Sequence, residues 1–119
     1  MMAEDIYSIA KDILEDQLDV AIGDDEQFED DDQFLDYAFG TYEIDNTIPG
    51  YESHDAALSV LCYDRLYAGE QLEEAGWPIN PFNNPTGALV WLTRRAAERI
   101  VYAGQINLED VIKGTDDEE

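Results

Sequence analysis

The chain has 119 residues, with 29 acidic side chains against 6 basic ones and a formal charge of −23. That length suits one domain, and 45 % apolar residues suffice for a core, which excludes wholesale disorder. A field of this sign repels nucleic acid and anionic lipid and attracts basic surfaces.

The pattern predicts helices and no convincing strand. From Asp5 to Ile22, the residues Ile6, Ile9, Ala10, Ile13, Leu14, Leu18 and Ala21 recur at spacings of three and four. That is one buried stripe of a helix, with Asp5, Asp12, Glu15, Asp16 and Asp19 on its other side and Gly23 as a stop. An aspartate-rich loop follows, and its last members can cap a second helix over about 31–43. That helix turns Phe34, Leu35, Ala38, Phe39 and Tyr42 inward and Asp36 outward. Asp45-Asn46-Thr47-Ile48-Pro49-Gly50 reads as a turn. Ser53 or Glu52 opens a third helix with Ala57, Leu58, Leu61, Cys62, Arg65 and Leu66 on one side, continuing to Ala75 with a break near Gly69. The Pro/Asn-rich stretch 76–85 reads as a loop pinned to the core by Trp77, Ile79 and Phe82. A long helix over roughly 86–103 is apolar on most sides, and a subunit interface is one natural way to bury it. A short helix at about 107–113 precedes a frayed acidic tail. The fold class is therefore all-α, a bundle of four to five helices with an acidic face. A single domain spans 1–114, with a disordered tail at 115–119.

Catalytic chemistry is hard to find. The longest strictly apolar run, Ala88-Leu89-Val90-Trp91-Leu92, falls far short of the ~20 residues that span a bilayer. The start is acidic where a signal peptide would be basic. Cys62 is the lone cysteine, which rules out an internal disulfide and reads as a small buried apolar residue in a reducing compartment. These features lead to the expectation of a cytoplasmic protein. His54, the lone histidine, reads as a surface residue, and one Cys with one His makes no zinc set. Phosphate loops, nucleophile elbows and Ser-His-Asp patterns are missing. A calcium-loop register starting at Asp24 puts Phe28 at a ligand position and Glu29 where the turn glycine belongs. The expectation is no enzyme, no cofactor and no metal.

The acidity is unevenly placed. Residues 1–74 carry −20, residues 75–108 carry +2 and residues 109–119 carry −5, and seven of the nine positions from Asp24 to Asp32 are acidic. Salt adaptation would spread acids more evenly, and a merely solvated face needs far less charge than −23, whose self-repulsion destabilises a small domain. Duplex DNA carries one charge per ~1.7 Å of axis, so 23 charges match roughly 39 Å of duplex. Acids at 12, 15, 16 and 19 of one helix stand about 5 Å apart along its axis. This reads as imitation of the DNA backbone, with an acidic interaction module or a halophilic helical domain as the alternative.

Asp45-Asn46-Thr47-Ile48-Pro49-Gly50-Tyr51, followed closely by Ala57-Leu58-Ser59-Val60-Leu61, resembles the middle of the Ocr-type phage anti-restriction proteins. The order of acidic first helix, aspartate-rich loop, Asn-x-x-Pro turn, apolar helix, proline-containing loop, long helix and acidic tail is similar over nearly the whole chain. The resemblance implies a symmetric all-α homodimer that occupies the DNA-binding groove of a type I restriction–modification enzyme without binding nucleic acid itself. The chain departs from that pattern in Arg94, Arg95 and Arg99 of its last helix and in its Pro/Asn-rich loop. Other basic grooves, such as those of a CRISPR effector, a DNA glycosylase, a nuclease or a histone-like protein, stay open as targets.

The expected partner-binding residues are Asp12, Glu15, Asp16, Asp19, Asp24, Asp25, Glu26, Glu29, Asp30, Asp31, Asp32 and Asp36. The resemblance places Leu58, Leu61 and Cys62 at a dimer interface, and Trp91 lies on the helix most in need of cover. Arg94, Arg95 and Arg99 are expected to serve the protein's own structure by reaching carboxylates of the first helix or the acidic loop.

Overall fold

A computed structural model describes residues 5–76 and 84–112. Among the described residues the architecture is five helices: α1 (Ile6–Gly23), α2 (Asp31–Asp45), α3 (His54–Tyr63), α4 (Arg65–Ala75) and α5 (Pro85–Tyr102). The all-α expectation holds. Loop anchors at Trp77, Ile79 and Phe82, and the tail, lie outside the described residues.

The helices begin where short polar side chains can satisfy the free amides of a first turn. Asp5 accepts from the Ser8 amide, Asp30 from Gln33, Ser53 from Ala56 and Asn84 from Gly87. Pro85 follows its cap directly, where a missing N–H costs nothing. A Cβ on Gly87 would stand 2.5 Å from the Asn84 side-chain nitrogen, so a larger residue there would displace the capping side chain.

α5 is the hub, and α1, α2 and α3 pack around it. Twelve of its 18 residues are buried, among them Leu89, Val90, Leu92, Ala96, Ala97 and Ile100. The apolar surround of this helix is thus covered by its own chain. α1 contributes Ile6, Ile9, Ala10, Ile13, Leu14 and Ala21 as read from the sequence. α2 contributes Phe34, Leu35, Ala38 and Phe39.

Three expectations fail. The third helix does not run through to Ala75 with a break at Gly69; it breaks at Asp64, where φ is −110° and ψ is 44°. The Asp64 carboxylate accepts the Ile6 amide at 3.1 Å and so caps α1 across 58 residues of sequence. Restarting the helix rotates its second half, so Leu66 lies 77 % exposed while Ala68, Gln71 and Leu72 turn inward. Cys62 is exposed, not buried. The short helix at 107–113 is absent over its described part. Gly104, at a φ of 74°, ends α5 in the left-handed conformation that glycine adopts freely. The chain then turns at Leu108–Val111 and pairs Ile112 with Phe28 in an isolated parallel bridge.

Candidate functional site: an acidic surface on a pinned backbone

The loop between α1 and α2 carries the densest charge, and it is tied down by several backbone amides and two side chains. α1 closes with the Glu26 amide reaching back to the Ala21 carbonyl at 2.9 Å, while Asp25 takes a φ of 58°. The Phe28 amide donates to the Val111 carbonyl at 2.7 Å. The Gln27 side-chain amide donates to the Asp110 carbonyl at 3.2 Å. Phe28 itself is buried at 7 % exposure, with its ring centroid 5.6 Å from Phe34 and 5.1 Å from Tyr37. Gln33 accepts from the Glu29 amide at 3.0 Å, and Tyr102 donates its hydroxyl to Asp32. An apolar anchor inside an acidic run thus fixes the carboxylates around it.

Those carboxylates face water. Asp12, Glu15, Asp16 and Asp19 are exposed along α1, and Asp24, Asp25, Glu26, Glu29, Asp30 and Asp32 along the loop; Asp31 is half-buried. Among the described residues only Asp36, of the twelve expected positions, holds an ion pair, with Arg94 at 2.7 Å. Burial and the neighbouring Asp32 and Asp30 raise the Asp31 pKa. A carboxyl raised in the folded state binds its proton more readily than in the unfolded chain, so folding gains as pH falls toward that pKa. The melting temperature is therefore expected to rise as pH is lowered from 7 toward the carboxylate range, and to rise with added salt at pH 7. Calorimetry checks both; a melting temperature that falls in both titrations contradicts the account.

Sequence reasoning missed two groups of acids. Glu109 and Asp110 are exposed on the turn that clamps Phe28, so they stand beside the acidic loop. Glu70, Glu73 and Glu74 are exposed on α4, which meets the start of α1 through the Tyr7–Tyr67 ring contact at 4.9 Å. Carboxylates therefore stand at both ends of α1 as well as along it. Their sequence signal was the same as that of any solvated helix face.

The arginines divide. Arg94, a fifth exposed, ties α5 to α2 through Asp36 at 2.7 Å and Glu43 at 3.6 Å, and reaches Glu98 at 3.5 Å. Arg95 pairs with Glu98 at 3.5 Å and lies over Trp91. Arg99 stacks over Tyr67 and has no carboxylate within 4.0 Å among the described residues. None of the three pairs with α1 or the loop: α2 supplies partners to Arg94 alone, and Arg95 pairs within α5. Because Asp36 and Glu43 are well solvated, Arg94→Gln is expected to cost only about 1 kcal/mol, a drop of roughly 4 °C in melting temperature. An unchanged thermal midpoint would remove the α2–α5 tie from the account.

Of the expected dimer residues, Leu61 is 2 % exposed and fills the chain's own core, so it offers no area to a second subunit. Leu58 and Trp91 are half-buried, and Cys62 is exposed beside Tyr63. His54 is exposed at the first position of α3. Among the described residues no group of three His, Cys, Asp or Glu is placed to hold a metal ion, and no helix is long and apolar enough to cross a membrane. Comparison with family models, curated proteins and solved structures finds no match.

Proposed function

We propose that this protein is a non-enzymatic DNA mimic that occupies the basic DNA-binding groove of a host defence enzyme, a type I restriction–modification complex first among them, and blocks it stoichiometrically. The observation that carries this reading is the pinned loop. Eleven of the twelve named carboxylates have no cation partner among the described residues, yet the segment carrying the densest of them is held by the Phe28 amide, the Gln27 side chain and, at Asp32, the Tyr102 hydroxyl. Solubility or salt adaptation requires charge but not a fixed arrangement of it. A partner groove whose lysines and arginines are spaced for phosphates does require one, because ordering the array beforehand lowers the cost of binding.

The dimensions are compatible. The molecule measures 49 Å along its longest axis, so its net charge of −23 amounts to one per roughly 2 Å, against ~1.7 Å in duplex DNA. Basic residues that ordinarily hold phosphates would meet carboxylates at a comparable density, and counterions released from both surfaces would drive association.

Titration of DNA cleavage by a type I restriction enzyme tests the target. Complete inhibition is expected near one equivalent of inhibitor per DNA-binding groove. Full cleavage at a large excess of the protein would reject this target.

Assembly into a homodimer belongs to the same reading. Of the expected interface, Leu58 and Cys62 on α3 and Trp91 on α5 keep exposed area, and Tyr63 at 56 % and Leu66 at 77 % exposure adjoin the first two across the α3–α4 break. Two chains of this charge repel, so added salt is expected to tighten the dimer. Light scattering across protein and salt concentrations checks this, and a monomer under every condition refutes it.

A further inference from the structure

Where the first turns of α1 meet the end of α5, a concavity of about 620 Å³ is lined by Lys11 and Arg99, with Tyr7, Ser8 and Gln105 beside them and Ile100 and Ala103 as apolar lining. Two cations sharing one hollow is unexpected in so acidic a chain. Neither has a carboxylate within 4.0 Å among the described residues. The one acid in the lining, Asp5, turns its Oδ1 to the Ser8 amide at 2.7 Å as the cap of α1, and its charge is outnumbered by the two cations.

Arg99 is held in place without an ion pair. Its guanidinium carbon lies 5.6 Å from the Tyr67 ring centroid, and Tyr67 in turn packs against Tyr7 at 4.9 Å. Stacking uses the face of a guanidinium and leaves its N–H edge available. Lys11 adds a point charge, and Ser8 and Gln105 add neutral donors.

We infer that this hollow binds a small molecule through an oxyanion, a phosphate or carboxylate group, seated between Lys11 and Arg99. A planar fork and an ammonium together suit such a group. The volume lies within the range of small-molecule sites and exceeds what a single anionic group fills, so the ligand carries further atoms against Tyr7 and Ile100. The surrounding negative field opposes long-range attraction. Recognition therefore rests on contacts inside the hollow, and favours a compact, multiply charged group.

The inference does not depend on mimicry, because it is tested on the full chain alone. Inorganic phosphate and citrate serve as separate probes at constant ionic strength, followed through backbone amide shifts by NMR. Saturable shifts in the millimolar range at Ser8, Lys11 and Gln105 are expected for at least one probe, and which probe binds tells a phosphate ligand from a polycarboxylate. Lys11→Gln, on an exposed helix position, is expected to weaken binding at least fivefold with the fold unchanged. Arg99→Lys keeps the charge but loses the fork and the stack, and is expected to weaken it further. Shifts that stay linear with both probes, or a Lys11→Gln variant that binds as tightly as the parent, would overturn the inference.

Discussion

Replacing Phe28 with alanine is expected to cost about 3–5 kcal/mol of stability, the range for deleting a buried aromatic side chain. Phe28 is 7 % exposed and packs on Phe34 and Tyr37, while its amide closes the bridge to the C-terminal turn. The loss falls on a domain whose whole margin is of the order of 5–15 kcal/mol, and which already carries the self-repulsion of −23 charges. Denaturant unfolding measures the cost. Added salt, by screening that repulsion, is expected to restore enough folded protein for a second reading. In it, amide hydrogen exchange at residues 24–32 is faster than in the parent while α1 and α5 stay protected. A variant as stable as the parent, with an unchanged loop, would mean that Phe28 is not the anchor.

Neutralising the loop as a whole is expected to have the largest effect on binding. Asparagine at Asp24, Asp25, Asp30, Asp31 and Asp32, with glutamine at Glu26 and Glu29, removes seven charges and keeps shape. Asparagine also caps helices, so α2 retains its start. Exposed ion pairs contribute about 0.2–1 kcal/mol each, so each single substitution is expected to weaken partner binding less than tenfold. Seven at about 0.5 kcal/mol would weaken it by a few hundredfold. The same variant is expected to melt higher than the parent, since relieved repulsion favours the compact state. Affinity for a type I methyltransferase core, measured by calorimetry, separates the two effects. One substitution that abolished binding in a folded chain would contradict a distributed surface.

How much of this was legible in the sequence depends on the range of the forces involved. The α1 stripe from Ile6 to Ala21 is a local pattern, and packing kept all but Leu18 of it fully buried. The caps at Asp5 and Asp30 are equally local. Asp64 was not legible as a break, because Leu61, Cys62, Arg65 and Leu66 continue a helical spacing without glycine or proline. What breaks the helix there is joined to the Ile6 amide, 58 residues away. Leu108, Val111 and Ile112 also fit a short helix, until Phe28 offers a backbone partner that only the tertiary fold supplies. Phe28 itself lies among acids with no apolar neighbour at either period, so nothing local marked it as the anchor of the site. The acidic residues were readable as charge; that the loop carrying them is fixed was not.

The central claim is that the acidic surface takes the place of DNA. Its most direct test is competition on one enzyme. A labelled duplex bound to a type I methyltransferase core is titrated with the protein, and fluorescence anisotropy follows release of the duplex as salt is raised. The account predicts full displacement of DNA, with an apparent affinity that falls steeply and log-linearly as salt increases. A ternary complex that retains the duplex, or binding indifferent to salt, would contradict it.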